Sequence, residues 1–236
     1  MFSRLKPFVK EKIYNKLGLL YSHDGLPVCI LKYLPKNTPI TLVDIGAHDG
    51  WFTIALDKYC GVSQGLLIEP LPHKANHLQQ IFISPKYSVL ECVLSNKSGD
   101  IELEVNEAEA TSSILNIKRS LPELSALNLG KPKTIKCQAM TLDEALCKYS
   151  FSEIDLIKID VQGAEHLVID GGKETLKITS MIWIEISFKP LYEGSSIFAD
   201  IYSLLTQAGF RLIEIEPGFR APSGELLQSD ALFAKL

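Results

Sequence analysis

The chain has 236 residues, of which 46% are hydrophobic and 22% charged, with a formal net charge of −4. This length fits one substantial core, and the composition is that of an ordinary globular protein. The acidic balance argues against a general nucleic-acid-binding protein, which would carry a basic field. The five cysteines are widely spaced and form no Cys-x-x-Cys pair, so they indicate neither a zinc site nor a disulfide framework. We expect reduced thiols and a cytoplasmic protein.

The N-terminal segment of the chain is basic and amphipathic. Apolar residues recur there at helical spacing, at Leu5, Val9, Ile13, Leu17 and Leu20. No apolar run is long enough to predict a transmembrane helix or a signal peptide. We therefore predict an N-terminal helical extension over residues 1–38 that packs against its own domain. Contact with an anionic membrane surface is the alternative.

Strands and helices are predicted to alternate along the rest of the chain. The predicted strands are 40–45, 65–69, 87–94, 101–105, 134–139, 154–159, 181–186, 210–215 and 231–235. The predicted helices are 51–59, 72–83, 141–149, one from about 164, and 196–208. Near-continuous apolar strands indicate a mostly parallel sheet with helices on both faces. No helix is evident between the last two strands, so one of them should run antiparallel.

Several turns of this sheet are expected to line one crevice, because ligands of open α/β sheets bind beyond the carboxyl ends of the strands. These turns are residues 44–50, 69–72, 92–96, 160–165 and 185–188. The polar segment 106–133 interrupts the sheet pattern and is predicted to be a lid or insertion over the crevice.

The first turn reads Asp44-x-Gly46-x-x-x-Gly50, with Asp49 inside it. A dinucleotide-binding turn places pyrophosphate on a helix N-terminus, and carboxylates at these positions would repel that group. They suit a positively charged ligand such as S-adenosylmethionine. Glu69 follows Gly46 by 23 residues, where an acid can accept hydrogen bonds from ribose hydroxyls. A tight turn without a ligand, and an acid that merely precedes a helix, are the structural alternatives.

The segment Lys158-Ile159-Asp160-Val161-Gln162-Gly163-Ala164-Glu165 resembles a block of the FkbM-like family of S-adenosylmethionine-dependent methyltransferases. The segments 43–47, 68–70 and 230–233 match the same family in its order, and the resemblance runs from about Thr41 to the C-terminus. It implies a methyltransferase domain over residues 39–236, with a Rossmann-like, seven-stranded sheet whose last strand is antiparallel. It also implies O-methylation of a hydroxyl on a sugar, a glycan or a natural product.

The resemblance also assigns site residues. The family motif places the methionine part of the cofactor at Asp44, Gly46 and Gly50, and the ribose at Glu69. With their neighbours, the positions assigned to the cofactor S-adenosyl-L-methionine are Asp44, Gly46, Ala47, Gly50, Glu69, Pro70 and Asp160. His48 and Asp49 stand where family members often carry other polar residues, which leaves the role of His48 open.

Methylation of a hydroxyl requires a general base within hydrogen-bond reach of the acceptor. We predict Asp160 as the base or its orienter, with Glu165 and Glu185 holding neighbouring hydroxyls. His48 is the alternative base, because a neutral imidazole suits proton abstraction near pH 7. No essential metal is predicted, although a divalent ion held by Asp160 and Glu185 could orient a sugar diol.

Two other functions compete with the methyltransferase. A domain that binds S-adenosylmethionine as a scaffold would show binding without turnover. An NAD-dependent oxidoreductase would use the same sheet and acid, but the sequence lacks the third glycine of its turn and a proton relay of Ser and Tyr-x-x-x-Lys type.

Overall fold

The computed structural model describes residues 26–125, 127 and 129–235, and these contain ten strands and seven α-helices. The strands are β1 (Ile40–Ile45), β2 (Val62–Ile68), β3 (Tyr87–Leu90), β4 (Val93–Leu94), β5 (Gly99–Val105), β6 (Lys133–Met140), β7 (Ile154–Ile159), β8 (Thr179–Ser187), β9 (Arg211–Pro217) and β10 (Gln228–Ala234). The helices are α1 (Val28–Leu31), α2 (Trp51–Tyr59), α3 (Pro72–Ile81), α4 (Leu142–Leu146), α5 (Glu165–Asp170), α6 (Lys173–Lys177) and α7 (Phe198–Gln207).

Seven of the strands form one sheet in the order β3-β2-β1-β7-β8-β10-β9. The pairs from β3 to β8 are parallel, and β10 is antiparallel to both β8 and β9. The predicted α/β class, a mostly parallel seven-stranded sheet with an antiparallel last strand, is confirmed. Because β1 and β7 are neighbours in the centre, the turns that follow them meet at one edge of the sheet.

Consecutive residues of the central strands point into two different cores. Leu42 and Leu156 pack on the face covered by α1 and α2, whereas Val43 and Ile157 pack on the face covered by α4 to α7. All four side chains are buried. The period of two along each strand thus buries both faces of the sheet, as the near-continuous apolar strands predicted.

The predicted single strand over residues 87–94 is wrong. β3 ends at Leu90, which pairs with Ile68, the last residue of β2. β3 is the edge strand of the sheet and pairs with β2 alone, so it has no partner beyond the point where β2 ends. The chain therefore leaves the large sheet, and Val93 and Leu94 pair with β6 in a separate three-stranded sheet of order β4-β6-β5.

The N-terminal segment is described from Leu26 onward. Cys29 and Ile30 of α1 are buried in the same core as Leu42, and the Cys29 thiol donates to the Glu216 carboxylate over 3.2 Å. The amphipathic helix predicted over residues 5–20 lies outside the described residues. Across the described part of the chain, no helix combines the length and apolar character that spanning a bilayer requires.

Candidate active site

A cleft of about 720 Å³, open to solvent, lies at the carboxyl ends of β1, β2 and β7. Of the predicted site residues, those that line it are Gly46, His48, Glu69, Pro70 and Asp160. Five residues of the insertion also line the cleft, namely Glu109, Ala110, Ser112, Ser113 and Ile114. The turn at 185–188, which was expected to line the same crevice, is not part of the wall of this cleft.

The turn after β1 is pressed against the turn after β7. Gly46 has φ +73°, and a Cβ at this position would lie 1.9 Å from the backbone oxygen of Asp160. Only glycine fits here, because such a contact is impossible for any side chain and the backbone is left-handed. The amides of Gly46 and Ala47 both donate to the Ile68 carbonyl, over 3.0 and 3.1 Å. Gly50, at φ +74°, starts α2 behind the turn.

Asp44 lies beneath the glycine turn and is fully buried. One carboxylate oxygen accepts a hydrogen bond from the Thr53 hydroxyl over 2.7 Å, and the other is 3.4 Å from the ammonium of Lys158. Its side chain is not among those that line the cleft. These contacts fix the base of the turn from below.

Lys158 is the residue of this site that sequence reasoning missed. It is buried near the carboxyl end of β7, donates to the Gly46 carbonyl over 2.8 Å and lies 3.6 Å from the Asp160 carboxylate. Burial alone lowers its pKa, but the carboxylates of Asp44 and Asp160 raise the pKa above its ordinary value, so the side chain stays charged. The available signal was a lysine inside an otherwise apolar buried strand, where a charge requires partners.

Glu69 stands at the end of β2 and is buried at the wall of the cleft. Its two carboxylate oxygens accept hydrogen bonds from the His48 amide over 2.8 Å and from the Leu71 amide over 3.0 Å. Burial raises the pKa of Glu69 above its ordinary value, although both backbone donors lower it. The carboxylate thus ties the first two turns together, and its oxygens have further lone pairs that can accept from a ligand.

His48 has a left-handed backbone, with φ +50°, at the wall of the cleft. Its Nδ1 lies 3.0 Å from the Asp49 carboxylate, whereas Nε2 is buried and has no hydrogen-bond partner among the residues that the structure describes. Asp49 is also bound by the Lys74 ammonium at 2.6 Å, which lowers the pKa of the carboxyl group. Asp49 therefore faces Lys74, and His48 contributes to the wall of the cleft with one ring nitrogen left unpartnered among the described residues.

Asp160 ends β7 at the opposite wall of the cleft, and its side chain is 37% exposed, so it can reach a bound molecule. Its Oδ1 accepts a hydrogen bond from the Gln162 amide over 2.7 Å. The carbonyl of the same amide accepts from the Tyr192 hydroxyl over 3.0 Å. Lys158 beneath and Gln162 beside it hold this carboxylate in one orientation.

Glu165 and Glu185 do not line the cleft, and both lie behind Asp160. Glu165 is buried and accepts hydrogen bonds from the amides of Val161 and Gly163, so it shapes the turn after β7. Glu185 accepts from the Gln228 side chain over 2.6 Å. Burial raises the pKa of Glu165 to about 7, and burial together with the neighbouring carboxylates raises the pKa of Glu185 well above its ordinary value.

Asp230, which had not been assigned a role, joins this group of acids. It lies on β10 directly opposite Glu185, and burial and the charge of Asp160 raise its pKa to about 7. Within the described ranges, no three His, Cys, Asp or Glu side chains are placed to share a metal ion. Asp160, the acid of this group that lines the cleft, thus lies beside three acids whose raised pKa values favour the neutral form.

Comparisons with known proteins bear on the family and the fold of the chain. The family model of the methyltransferase FkbM domain matches residues 44–212. The chain is 31% identical over 207 residues to 2-O-methyltransferase NoeI of Sinorhizobium fredii (strain NBRC 101917 / NGR234), which covers 84% of this chain and 82% of that protein. Among solved structures, a protein of Listeria monocytogenes described as an S-adenosylmethionine-dependent methyltransferase superposes with a TM-score of 0.51. The identity is 10%, over 88% of this chain and 96% of that one.

Proposed function

Because the chain belongs to the FkbM family of S-adenosylmethionine-dependent methyltransferases, we propose that it methylates a hydroxyl group of a sugar, a glycan or a natural product. The observation that carries this proposal is the position of Asp160. It is an exposed carboxylate, held by a buried lysine and a glutamine, at the wall of a cleft that also contains the glycine turn and Glu69.

The residues of the cleft fit the cofactor S-adenosylmethionine. Gly46 lets the backbone approach a ligand closely, and the buried carboxylate of Glu69 can accept from ribose hydroxyls. Pro70 and Leu71 add apolar surface beside Glu69 for the adenine. We assign Gly46, Ala47 and Gly50 to the turn that holds the methionine part, with Asp44 as its buried support.

When bound, S-adenosylmethionine supplies an electrophilic methyl group on a positively charged sulfur. The protein must bind the acceptor beside it and take up the proton that the acceptor hydroxyl releases. We assign proton uptake to the carboxylate of Asp160. Gln162 positions this group through Oδ1, and Lys158 offsets its charge from below.

Glu165 and Glu185 receive different roles from the ones first predicted for them. Both side chains are turned toward protein partners, the amides of Val161 and Gly163 for the first and Gln228 for the second. We propose that they shape the acceptor side of the site without contacting its hydroxyls. His48 remains the alternative base, because it lines the cleft and its Nε2 has no partner among the described residues.

Hydroxyl methylation is supported by the relative NoeI, which is named a 2-O-methyltransferase. The net charge of −4 disfavours a nucleic-acid acceptor. We therefore propose a small or glycan acceptor and a cytoplasmic enzyme.

Transfer of a labelled methyl group tests the proposal. The enzyme is incubated with S-adenosylmethionine carrying ¹³C in its methyl group and with a panel of sugars, glycans and hydroxylated natural products. We expect a new methoxy signal in the ¹³C spectrum of one acceptor class. Tight cofactor binding without any transfer would support the scaffold alternative, and a methyl signal on nitrogen or carbon would contradict the proposed chemistry.

A further inference from the structure

A second pocket, of about 440 Å³ including space that is open to solvent, adjoins the cleft on the side of β8 and β10. We call it the apolar chamber. Its walls come from the insertion, the loop after β8 and the loop between β9 and β10. The apolar side chains of these three segments that line the chamber are Ile117, Leu124, Leu127, Leu191 and Phe219. Among the described residues, no charged side chain lines it.

The chamber is built before any ligand arrives, because its two main walls are fastened to each other. The amide of Lys118 donates to the Leu191 carbonyl, and the amide of Glu193 donates to the Asn116 carbonyl, each over 2.8 Å. The side chains of Lys189 and Glu123 form an ion pair across the same seam. These bonds hold the insertion against the loop after β8.

Gln162 separates the chamber from the cleft, since its side chain lines both. Its backbone is left-handed, with φ +57°, a strained conformation that is found preferentially at functional sites. The side-chain amide bridges Asp160 on the cleft side and the Tyr192 hydroxyl on the chamber side. A molecule in the chamber would therefore meet the proposed catalytic carboxylate across a single side chain.

We propose that the apolar chamber is the acceptor site and that the acceptor carries an apolar ring or short alkyl group next to its reactive hydroxyl. This inference rests on the proposed function and names the acceptor class for that site. The apolar part fills the chamber, and the hydroxyl points toward Asp160 beside the Gln162 amide. Gln162 is then a positioning residue, because its amide holds the Asp160 carboxylate beside the acceptor hydroxyl.

The apolar lining of the chamber favours an acceptor with an apolar face over a polyhydroxylated or a phosphorylated acceptor. A polar molecule with hydroxyls on every side would lose its water contacts and gain few hydrogen bonds, because the polar groups of the chamber are confined to Thr111, Gln162, Tyr192 and Gln228. A phosphorylated acceptor would meet no positive charge there. A ligand with one apolar face and one hydroxyl matches both parts of the wall.

Two alcohols with the same carbon ring test the inference. Cyclohexanol has one hydroxyl and an apolar ring, and myo-inositol has a hydroxyl on every carbon. Binding is followed by the methyl NMR signals of Ile117 and Leu191 during titration. Cyclohexanol should shift these signals in a saturable way, whereas inositol should leave them unchanged.

Two leucines of the same apolar cluster provide matched variants. Leu127 lines the chamber and Leu121 does not, although both are partly buried. Leu127→Trp fills the chamber and should weaken cyclohexanol binding by about tenfold or more, whereas Leu121→Trp should change it by less than about twofold. Phe219→Ala removes a wall without filling the space and should weaken binding as well.

Calorimetric titration of the same proteins with S-adenosylmethionine separates this inference from the proposed function and controls for folding. If the wild-type protein did not bind S-adenosylmethionine, the proposed function would be overturned. The cyclohexanol titration would still show whether the chamber binds an apolar alcohol. Inositol binding at these signals, or equal cyclohexanol affinity in Leu127→Trp with intact cofactor binding, would overturn the acceptor class.

Discussion

Lys158→Met should destabilise the protein strongly, because it removes the only cation that faces two carboxylates at the floor of the site in the described part of the chain. The ammonium lies 3.4 Å from Asp44, which at an effective dielectric constant of about 20 corresponds to an attraction of about 5 kcal/mol. Part of this is offset by the desolvation of the lysine itself. Leaving one partner of a buried pair uncompensated typically costs about 3–5 kcal/mol, and we expect a loss in that range.

Urea unfolding of the wild-type and variant proteins measures this loss. Lys177→Met is the matched control, since Lys177 forms an exposed pair with Glu174 on α6 and should contribute only a few tenths of a kcal/mol, on the order of a surface pair. The double variant Lys158→Met with Asp44→Asn should recover part of the stability, because a neutral amide leaves no buried charge. A Lys158→Met protein as stable as Lys177→Met would refute the reasoning.

Three further predictions concern the cofactor, pH and metals. Glu69→Ala should weaken S-adenosylmethionine binding by roughly 1.5–3 kcal/mol in calorimetry. Glu109, another acid at the cleft, is paired with His73, and Glu109→Ala should leave the affinity unchanged. Equal affinities of the two variants would remove Glu69 from the site. Burial raises the pKa of Glu165 from its ordinary value near 4.5 to about 7, so the folded protein holds a proton that the unfolded chain has released. Its contribution to stability is therefore lost as pH rises between about 4.5 and 7, and Glu165→Gln should flatten the fall in unfolding free energy over this window; an unchanged slope would contradict the burial argument. Turnover should survive dialysis against a chelator, since a neutral thioether leaves the sulfonium without Lewis-acid help; complete loss that magnesium restores would reverse this prediction.

The sheet and its order of elements were predictable because buried strands and amphipathic helices leave periodic signals. The bounds of β1, α2 and β7 agree with the predicted 40–45, 51–59 and 154–159. The helix predicted from residue 141 also begins there, where Thr141 and Glu144 form a capping box at the start of α4. The break between β3 and β4 was not predictable, because the apolar run continues across it and only the end of the neighbouring strand decides where pairing stops.

A site residue was predictable from the sequence where the fold permits only one residue type at its position. Gly46 is such a case, because the close approach of the Asp160 carbonyl permits no side chain. The partners of Lys158 and Gln162 depend on contacts between turns that are far apart in sequence, so spacing alone does not reveal them. The orientation of Glu185 toward Gln228 likewise follows from the pairing of β8 with β10.

The most direct test of the account is the turnover of Asp160→Asn beside that of His48→Ala, on an acceptor that the wild-type enzyme methylates. Asparagine keeps the size of the side chain and an oxygen that Gln162 can bind, and it removes the charge that accepts the proton. We predict turnover lowered by roughly 10²–10⁴-fold with nearly unchanged affinity for S-adenosylmethionine. Wild-type turnover in Asp160→Asn together with an inactive His48→Ala would contradict the account and move the role of base to His48.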